Sequence, residues 1–395
     1  MVSKILTLNQ ISIKGLERLP RDKYEIASEF AHPDAILLRS HKLQAADIPD
    51  SVRCIARAGA GVNNVPVAEC TKRGIPVFNS PGANANAVKE LVAAALLLGS
   101  RGIKEGVNYV STLGDIADEA ELNRTLEAQK KQFKGSELMG KTLGVVGLGA
   151  IGSLVAEMAL TFGMEVVGYD PALSVEAAWR LSSQVQKADA ISSLFARCDY
   201  ITLHLPVLDS TRGLVNAELL ANVRPGTCLV NFARQEIVDN EAIIEALDAG
   251  KLRKYIADFP APGLIGRDDV ILMPHIGAST DEAEDNCAIM AAEQLRDFLE
   301  NGNIRNSVNF PATQLEHVTG CRLAVTNENV PRVLTSILAI LAEANINVID
   351  MLNKSRDEIA YNLIDIESQP SEAALVSMEA LEGVISARLI GDCCS

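Results

Sequence analysis

Aromatic residues are scarce in this chain. They make up 4% of its 395 residues, with one Trp, and there are only five His. Each His can therefore be weighed singly as a proton carrier. Positive charge is also in deficit: 36 Lys and Arg stand against 51 Asp and Glu, a formal net charge of −15. Such a surface repels phosphate backbones and anionic lipid, so nucleic-acid and membrane-surface partners are excluded as classes. A small anionic substrate held by a local Arg cluster is not. Long apolar runs are missing too. The longest, residues 91–98, falls far short of the roughly 20 residues a membrane helix needs. The opening Ser3-Lys4-Ile5-Leu6-Thr7-Leu8 reads as a strand, without the long apolar core of a signal peptide. No Cys-x-x-Cys pair occurs among Cys54, Cys70, Cys198, Cys228, Cys287, Cys321, Cys393 and Cys394, which argues against a zinc site. The expectation is a cytoplasmic protein with reduced, buried thiols, no metal, and a ragged exposed Cys393-Cys394 end.

What is present is an α/β pattern. Hydrophobic residues make up 48%, enough for the cores of two or three domains. Strand-like runs at 5–8, 35–38, 55–58 and 77–79 are spaced widely enough for crossovers, which predicts a first parallel sheet. Residues 88–99 read as a helix apolar almost all round, suited to burial between domains or subunits. A second series follows, with strands at 142–146, 165–169, 200–203, 227–231, 255–258 and 270–273. Helices are expected at 151–162, 194–197, 217–223 and 240–249, and a long one at 283–301 that packs back on the first unit. After Pro311 the order strand, helix, strand, strand, helix, strand predicts a small βαββαβ unit. The expected fold class is α/β: two doubly wound parallel-sheet domains plus this unit. The expected boundaries are 1–98 with 281–310, then 99–280, then 318–395.

The sharpest motif is Gly147-Leu148-Gly149-Ala150-Ile151-Gly152, which follows the strand at 142–146 and opens a helix. Gly147 allows a tight turn, Gly149 lets backbone approach a pyrophosphate, and Gly152 permits close helix–strand packing. Asp170 ends the next strand, where a carboxylate binds a ribose 2′-hydroxyl and repels a 2′-phosphate. The expected cofactor is NAD, on a Rossmann-like domain.

Two further residues follow strand ends. His275, in Met273-Pro274-His275-Ile276-Gly277-Ala278, is placed to exchange a proton with a hydroxyl near neutral pH. Arg234, in Asn231-Phe232-Ala233-Arg234, is placed to hold a carboxylate bidentately and polarise the adjacent carbonyl. Of the other His, His204 ends a strand before Leu205-Pro206 and suits a structural or nucleotide contact. His32 reads as solvated, His41 as surface or substrate-facing, and His317 as linker.

These motifs resemble the D-isomer-specific 2-hydroxyacid dehydrogenase family over roughly residues 1–310, with a further match at Arg57-Ala58-Gly59-Ala60-Gly61-Val62-Asn63-Asn64. The resemblance implies that Arg234 orients a keto acid, His275 exchanges the proton and the nicotinamide exchanges the hydride. It also implies cofactor contacts at Gly147, Gly149, Ala150, Ile151, Gly152, Asp170, His204, Pro206, Phe232, Ala233, Asp258, Gly277 and Ala278. One feature departs from the family. Its segment like D-V-F-x-x-E-P supplies a Glu to the catalytic His, whereas here the run is Asp258-Phe259-Pro260-Ala261-Pro262-Gly263, with Gly263 at the Glu position. Asp258, Glu236, Asp268 and Asp269 are the candidate replacements. With no carboxylate at all, keto-acid reduction is expected to fade at a lower pH than in relatives.

Leu37-Leu38-Arg39-Ser40 resembles the phosphate-binding segment of family members that act on phosphorylated substrates. The implied substrate residues are Arg39, Ser40 and Arg57 for the phosphate, the Ala58-Gly59 amides for a carboxylate, Asn84, and Lys130 lent to a neighbouring subunit. The implied reaction is oxidation of D-3-phosphoglycerate to 3-phosphohydroxypyruvate on the way to serine. The alternatives are a glycerate or 2-hydroxyglutarate dehydrogenase and a non-enzymatic NAD-sensing protein. Residues 322–395 resemble an ACT regulatory domain, which pairs sheet edges and binds amino acids there. Asn327, Asn329 and Asn347 are the implied effector residues, with Asn327 where relatives have His and Arg332 where Gly is usual. A homodimer or homotetramer is expected.

Overall fold

The computed structural model describes residues 2–316 and 320–390, so His317, Cys393 and Cys394 lie outside the described residues. The chain forms two compact units, one of Met1–Asn84 with Asp281–Ser395 and one of Ala85–Thr280. The helix expected at 88–99 therefore belongs to the second unit.

The first unit opens with β1 (Ser3–Leu8), α1 (Ile13–Leu16), β2 (Tyr24–Ala27), β3 (Ala35–Leu38), β4 (Cys54–Arg57), α2 (Val67–Lys72) and β5 (Val77–Phe78). They build a parallel sheet in the order β2-β1-β3-β4-β5. Every residue of β3 is buried, as expected of a parallel strand covered on both faces. The strand not anticipated, β2, sits at the edge and is half-exposed, so its sequence lacks that apolar signature.

The second unit contains α3 (Ala85–Ser100), α4 (Ile103–Ser111), α5 (Glu119–Gln129), β6 (Thr142–Val146), α6 (Ala150–Thr161), β7 (Glu165–Tyr169), α7 (Val175–Arg180) and β8 (Gln186–Lys187). It continues with α8 (Ile191–Arg197), β9 (Tyr200–Leu203), α9 (Ala217–Ala221), β10 (Thr227–Asn231), α10 (Asn240–Asp248), β11 (Leu252–Ala257) and β12 (Val270–Leu272). The sheet is parallel, in the order β12-β11-β10-β9-β6-β7-β8. Six strands were expected and seven form. The extra one, β8, is a two-residue polar edge. The chain reverses direction across the sheet between β6 and β9, the switch point where such folds bind ligands at the carboxyl ends of the strands. Val88, Val92, Ala95 and Leu96 of α3 share a core with Val145, Val155, Val230 and Ile256, so one face of that helix is buried within its own unit.

The chain then returns to the first unit through α11 (Asp281–Asn301). Asp281, Glu282 and Glu284 in its first turn complement the helix dipole. Small residues at helical spacing, Ala288, Ala291 and Ala292, let it lie close on α1 and β4. The small unit follows as β13 (Cys321–Glu328), α12 (Val333–Glu343), β14 (Val348–Arg356), β15 (Ile359–Ile366), α13 (Glu372–Glu379) and β16 (Val384–Ile390). Its antiparallel sheet runs β14-β15-β13-β16. All of β15 is buried because both faces of the sheet are covered. Leu323, Val325, Ile364 and Ile366 meet α12 and α13. Ala324, Tyr361, Leu363 and Ile390 join the core of the five-stranded sheet together with Phe298 and Phe310.

A buried ion pair fixes this junction. Arg322 and Asp365 are both fully buried, and the guanidinium meets the carboxylate twice, at 2.6 and 2.8 Å. Its remaining nitrogen donates to the carbonyls of Asn301 (3.1 Å) and Leu315 (2.8 Å). The Tyr361 hydroxyl donates to Gly302 O at 2.7 Å, and the Arg388 guanidinium stacks 4.1 Å from the Phe298 ring centre. Removing one partner strands a buried charge. Asp365→Asn is expected to cost about 3–5 kcal/mol in urea unfolding, whereas the apolar double replacement of Arg322 and Asp365 is near neutral. A loss below about 1 kcal/mol for the single change would contradict this assignment.

Candidate active site

The fingerprint forms the β6–α6 turn as its glycines require. Gly147 lies at φ +90°, and a Cβ there would stand 2.4 Å from His204 O, while one at Gly152 would stand 1.9 Å from Gly147 O. At Gly149 an added Cβ meets nothing within 4 Å, so the space before the N-terminus of α6 is open. Ala150 is exposed and Ile151 half-buried there. Asp170, at the end of β7, accepts from Leu148 N at 2.8 Å and from Ala172 N at 3.0 Å. It thereby braces the turn, and each oxygen keeps a further lone pair for a hydroxyl.

His204, at the end of β9, shares a 2.9 Å hydrogen bond through Nε2 with Thr202. Burial pushes its pKa down to about 3, so the ring is neutral across the physiological range. Its Nδ1 is buried with no partner among the described residues. A buried orphan nitrogen beside an open glycine turn, a helix N-terminus and a carboxylate on the neighbouring strand fits a dinucleotide. Pro206 follows in an exposed position.

Next along the edge come the residues after β10. Phe232 and Ala233 are buried. Asn231, fully buried, accepts from Ala233 N at 3.1 Å and donates to Arg234 O at 2.9 Å. This brace was not among the expected site residues, although Asn231 was part of the matched motif. Arg234 itself is half-buried and bonds Ala233 O at 2.6 Å. No carboxylate pairs with it among the described residues, which leaves its charge for a ligand.

Asp258 directly follows β11 and is 2% exposed. Its two oxygens accept from Ile276 N (2.8 Å) and Gly277 N (2.7 Å), and its carbonyl accepts from His275 N at 3.0 Å. The strap turns the chain through His275, whose φ is +58°. The His275 side chain has no hydrogen bond or ion pair among the described residues. Its ring packs edge-on against Phe259, 4.9 Å between centres at 62°. Ala278, two residues beyond Ile276, is half-buried.

Three of the four candidate replacement carboxylates do not serve His275. Both oxygens of Asp258 serve backbone amides, so it does not hold the imidazole. Asp268 and Asp269 precede β12 while His275 follows it, which puts them at the opposite edge of the sheet, and Asp269 is paired with Arg267 at 2.9 Å. Both are corrected out of the site. Glu236 stays on the correct edge, in the turn after Arg234. Gly263 lies at φ +82°, a backbone conformation that disfavours a Glu at this position. Gly263→Glu is expected to cost about 1 kcal/mol in thermal unfolding and to leave kcat no higher. A gain in kcat would contradict it.

In the first unit Arg39 and Arg57 stand together at the carboxyl ends of β3 and β4. Arg57 Nε donates to Arg39 O at 3.1 Å, and Arg39 Nη2 pairs with Glu284 of α11 at 2.5 Å. Ser40 and His41 are exposed nearby, as is His32 further off. The Ala58-Gly59 expectation needs correction. Ala58 N–H donates to Leu38 O at 2.8 Å, extending the strand ladder by one residue, and Gly59 N–H donates to Arg57 O at 2.9 Å. Neither amide is free for a carboxylate. Asn84 Oδ1 is buried without a partner among the described residues. Lys130, of the second unit, is exposed and paired with Glu127.

The three effector candidates do not converge within one chain. Asn327 is 3% exposed and accepts from Asn362 at 2.7 Å. Asn329 bonds Asp357 O at 3.1 Å. Asn347 precedes β14 at the end where Val348 pairs with Ile366, whereas Asn327 pairs with Ala360 at the other end. Arg332 takes φ +79° at the start of α12, a conformation that favours the Gly expected there.

Cys54, Cys70, Cys198, Cys228 and Cys287 are free and buried, and burial pushes Cys54, Cys198 and Cys228 up to about 12. Among the described residues no His, Cys, Asp and Glu group is arranged to hold a metal, and no helix is long and apolar enough to cross a membrane.

The family model "D-isomer specific 2-hydroxyacid dehydrogenase, NAD binding domain" matches residues 108–277. The chain is 34% identical over 366 residues to the D-3-phosphoglycerate dehydrogenase of Haemophilus influenzae, covering 89% of this chain and 84% of that one. It is 32% identical over 402 residues to the enzyme of the same name from Methanocaldococcus jannaschii, covering 97% and 73%. Among solved structures, the NAD+-bound 3-phosphoglycerate dehydrogenase of Entamoeba histolytica superposes with a TM-score of 0.61 at 28% identity, over 78% of this chain and 99% of that one. The chain belongs to the D-isomer specific 2-hydroxyacid dehydrogenase family and is an NAD-dependent D-2-hydroxyacid dehydrogenase. NAD is its cofactor.

Proposed function

We propose that the chain oxidises D-3-phosphoglycerate to 3-phosphohydroxypyruvate, the first step toward serine. The observation that carries this is the adjacent Arg39 and Arg57, two guanidiniums at neighbouring strand ends with Ser40 beside them. Such a pair suits a phosphate dianion, which takes charge-assisted bonds from planar donors. Glu284 balances Arg39, and the phosphate displaces it. The names of the relatives point the same way.

Arg234 holds the substrate carboxylate, and His275 takes the hydroxyl proton as the carbonyl forms. The β6–α6 turn, Asp170 and His204 would hold NAD, which when bound would supply the hydride acceptor. In the reverse direction His275 returns the proton and Arg234 polarises the keto group. Asn84 offers its buried acceptor to the substrate, and Lys130 is a basic group for a neighbouring subunit. The protein works in the cytoplasm as a homo-oligomer; five buried thiols are free, although Cys321 is disulfide-bonded, and the oligomer is supported by α4. On that helix Ile103, Val107 and Val110 fall on one face and are exposed. Serine acts through Asn329 and Asn347 of two copies.

The test is NADH oxidation with 3-phosphohydroxypyruvate, beside hydroxypyruvate and Arg39→Ala. The expected result is preference for the phosphorylated substrate and a KM raised about tenfold or more in the variant, the loss of one or two charge-assisted bonds. Equal turnover of both substrates with no effect of Arg39→Ala would overturn the phosphate assignment.

A further inference from the structure

The His275 side chain meets no carboxylate among the described residues and Gly263 stands at the position of the family's Glu, yet its ring is not without support. Its backbone is fixed by the Asp258 strap, which holds a left-handed φ that a non-glycine residue adopts only when its surroundings impose it. The strap leaves the rotation of the side chain open, and no polar group among the described residues restricts it. The neighbour that does is Phe259.

Phe259 follows Asp258 directly, so the strap also fixes the start of its position. Pro260 comes next, and a residue before proline is confined to extended conformations. The half-buried phenyl ring is thus held on stiff backbone from both sides, with the imidazole edge-on at 4.9 Å. A hydrogen-bonding carboxylate restrains a histidine through one nitrogen. A phenyl neighbour restrains it through contact and leaves both nitrogens unengaged. The contact is steric and non-covalent, 4.9 Å between ring centres at 62°, and needs no proton on either nitrogen, so it holds the ring in both halves of the proton cycle.

We propose that Phe259 is the positioning residue for His275 and replaces by ring contact the orienting role of the missing Glu. This rests on the reading of His275 as the acid–base group. It does not depend on which hydroxy acid is the substrate.

The experiment compares wild type, Phe259→Leu, Phe259→Tyr and His275→Asn in NADH-dependent reduction of 3-phosphohydroxypyruvate, or of whichever keto acid wild type turns over fastest. Leu keeps the bulk and removes the ring, whereas Tyr keeps the ring. Phe259→Leu is expected to lower kcat about tenfold, as a misplaced catalytic group does. NADH affinity and melting temperature stay unchanged, and the solvent deuterium isotope effect on kcat rises as proton transfer slows. Phe259→Tyr restores kcat to within about threefold of wild type, less than the cost of losing the general acid. A Leu variant with wild-type kcat and isotope effect, or a Tyr variant as slow as Leu, overturns the proposal while His275→Asn remains slow. A His275→Asn chain at the wild-type rate overturns the acid–base reading and the proposal with it.

Discussion

The buried carboxylate of Asp258 is the constraint on which the reactive edge of the second unit depends. Its two oxygens collect the amides of Ile276 and Gly277, which ties the exit of β12 to the exit of β11. Without that strap the chain beyond β12 has no reason to turn through a left-handed histidine. Asn231 does the same for the next strand, folding Phe232-Ala233-Arg234 around its side-chain amide. Two buried polar side chains, each the last or next-after-last residue of its strand, thus present Arg234 and His275 from rigid backbone. Both are fully satisfied by main-chain partners, the condition under which a buried polar group orders a site instead of destabilising it.

A second constraint organises the first unit. The four-stranded sheet is covered by its own helices on one face and by the core around Phe298 and Phe310 on the other. Arg322 and Asp365 pin it to the end of α11 and to the segment that follows. The same helix carries Glu284 at its start, on Arg39. One 21-residue rod therefore touches the small sheet near one end and an Arg proposed for substrate near the other.

Much of this was legible in the residues. Interior parallel strands such as 35–38, 142–146 and 227–231 are buried on both faces, so they read as continuous apolar runs and their bounds match the structure. Edges did not read this way: β2 and β8 are half-exposed or polar and carry no such pattern. The glycine spacing of the fingerprint was visible because each glycine answers a steric demand that sequence position alone specifies. The direction of a carboxylate is different. Asp258, Asp268 and Asp269 are near His275 in sequence, and only the strand between them shows that two stand at the wrong edge and the third faces backbone amides. The Ala58 amide is a further case: Ala58 lies within the strand expected at 55–58, and its N–H is taken by the ladder to Leu38. Phe259 carried no signal of its own, because the motif draws attention to the Glu it lacks.

The most direct measurement is a crystal structure of the protein with NAD+ and a non-reacting phosphorylated hydroxy-acid analogue. The expected result is His275 against the substrate hydroxyl, its ring still edge-on to Phe259, with no carboxylate of the protein within about 3.2 Å of either nitrogen. A carboxylate seated on His275, from Glu236 or from a second copy of the chain, would contradict the central claim that His275, the proposed acid–base group, is held without an acid.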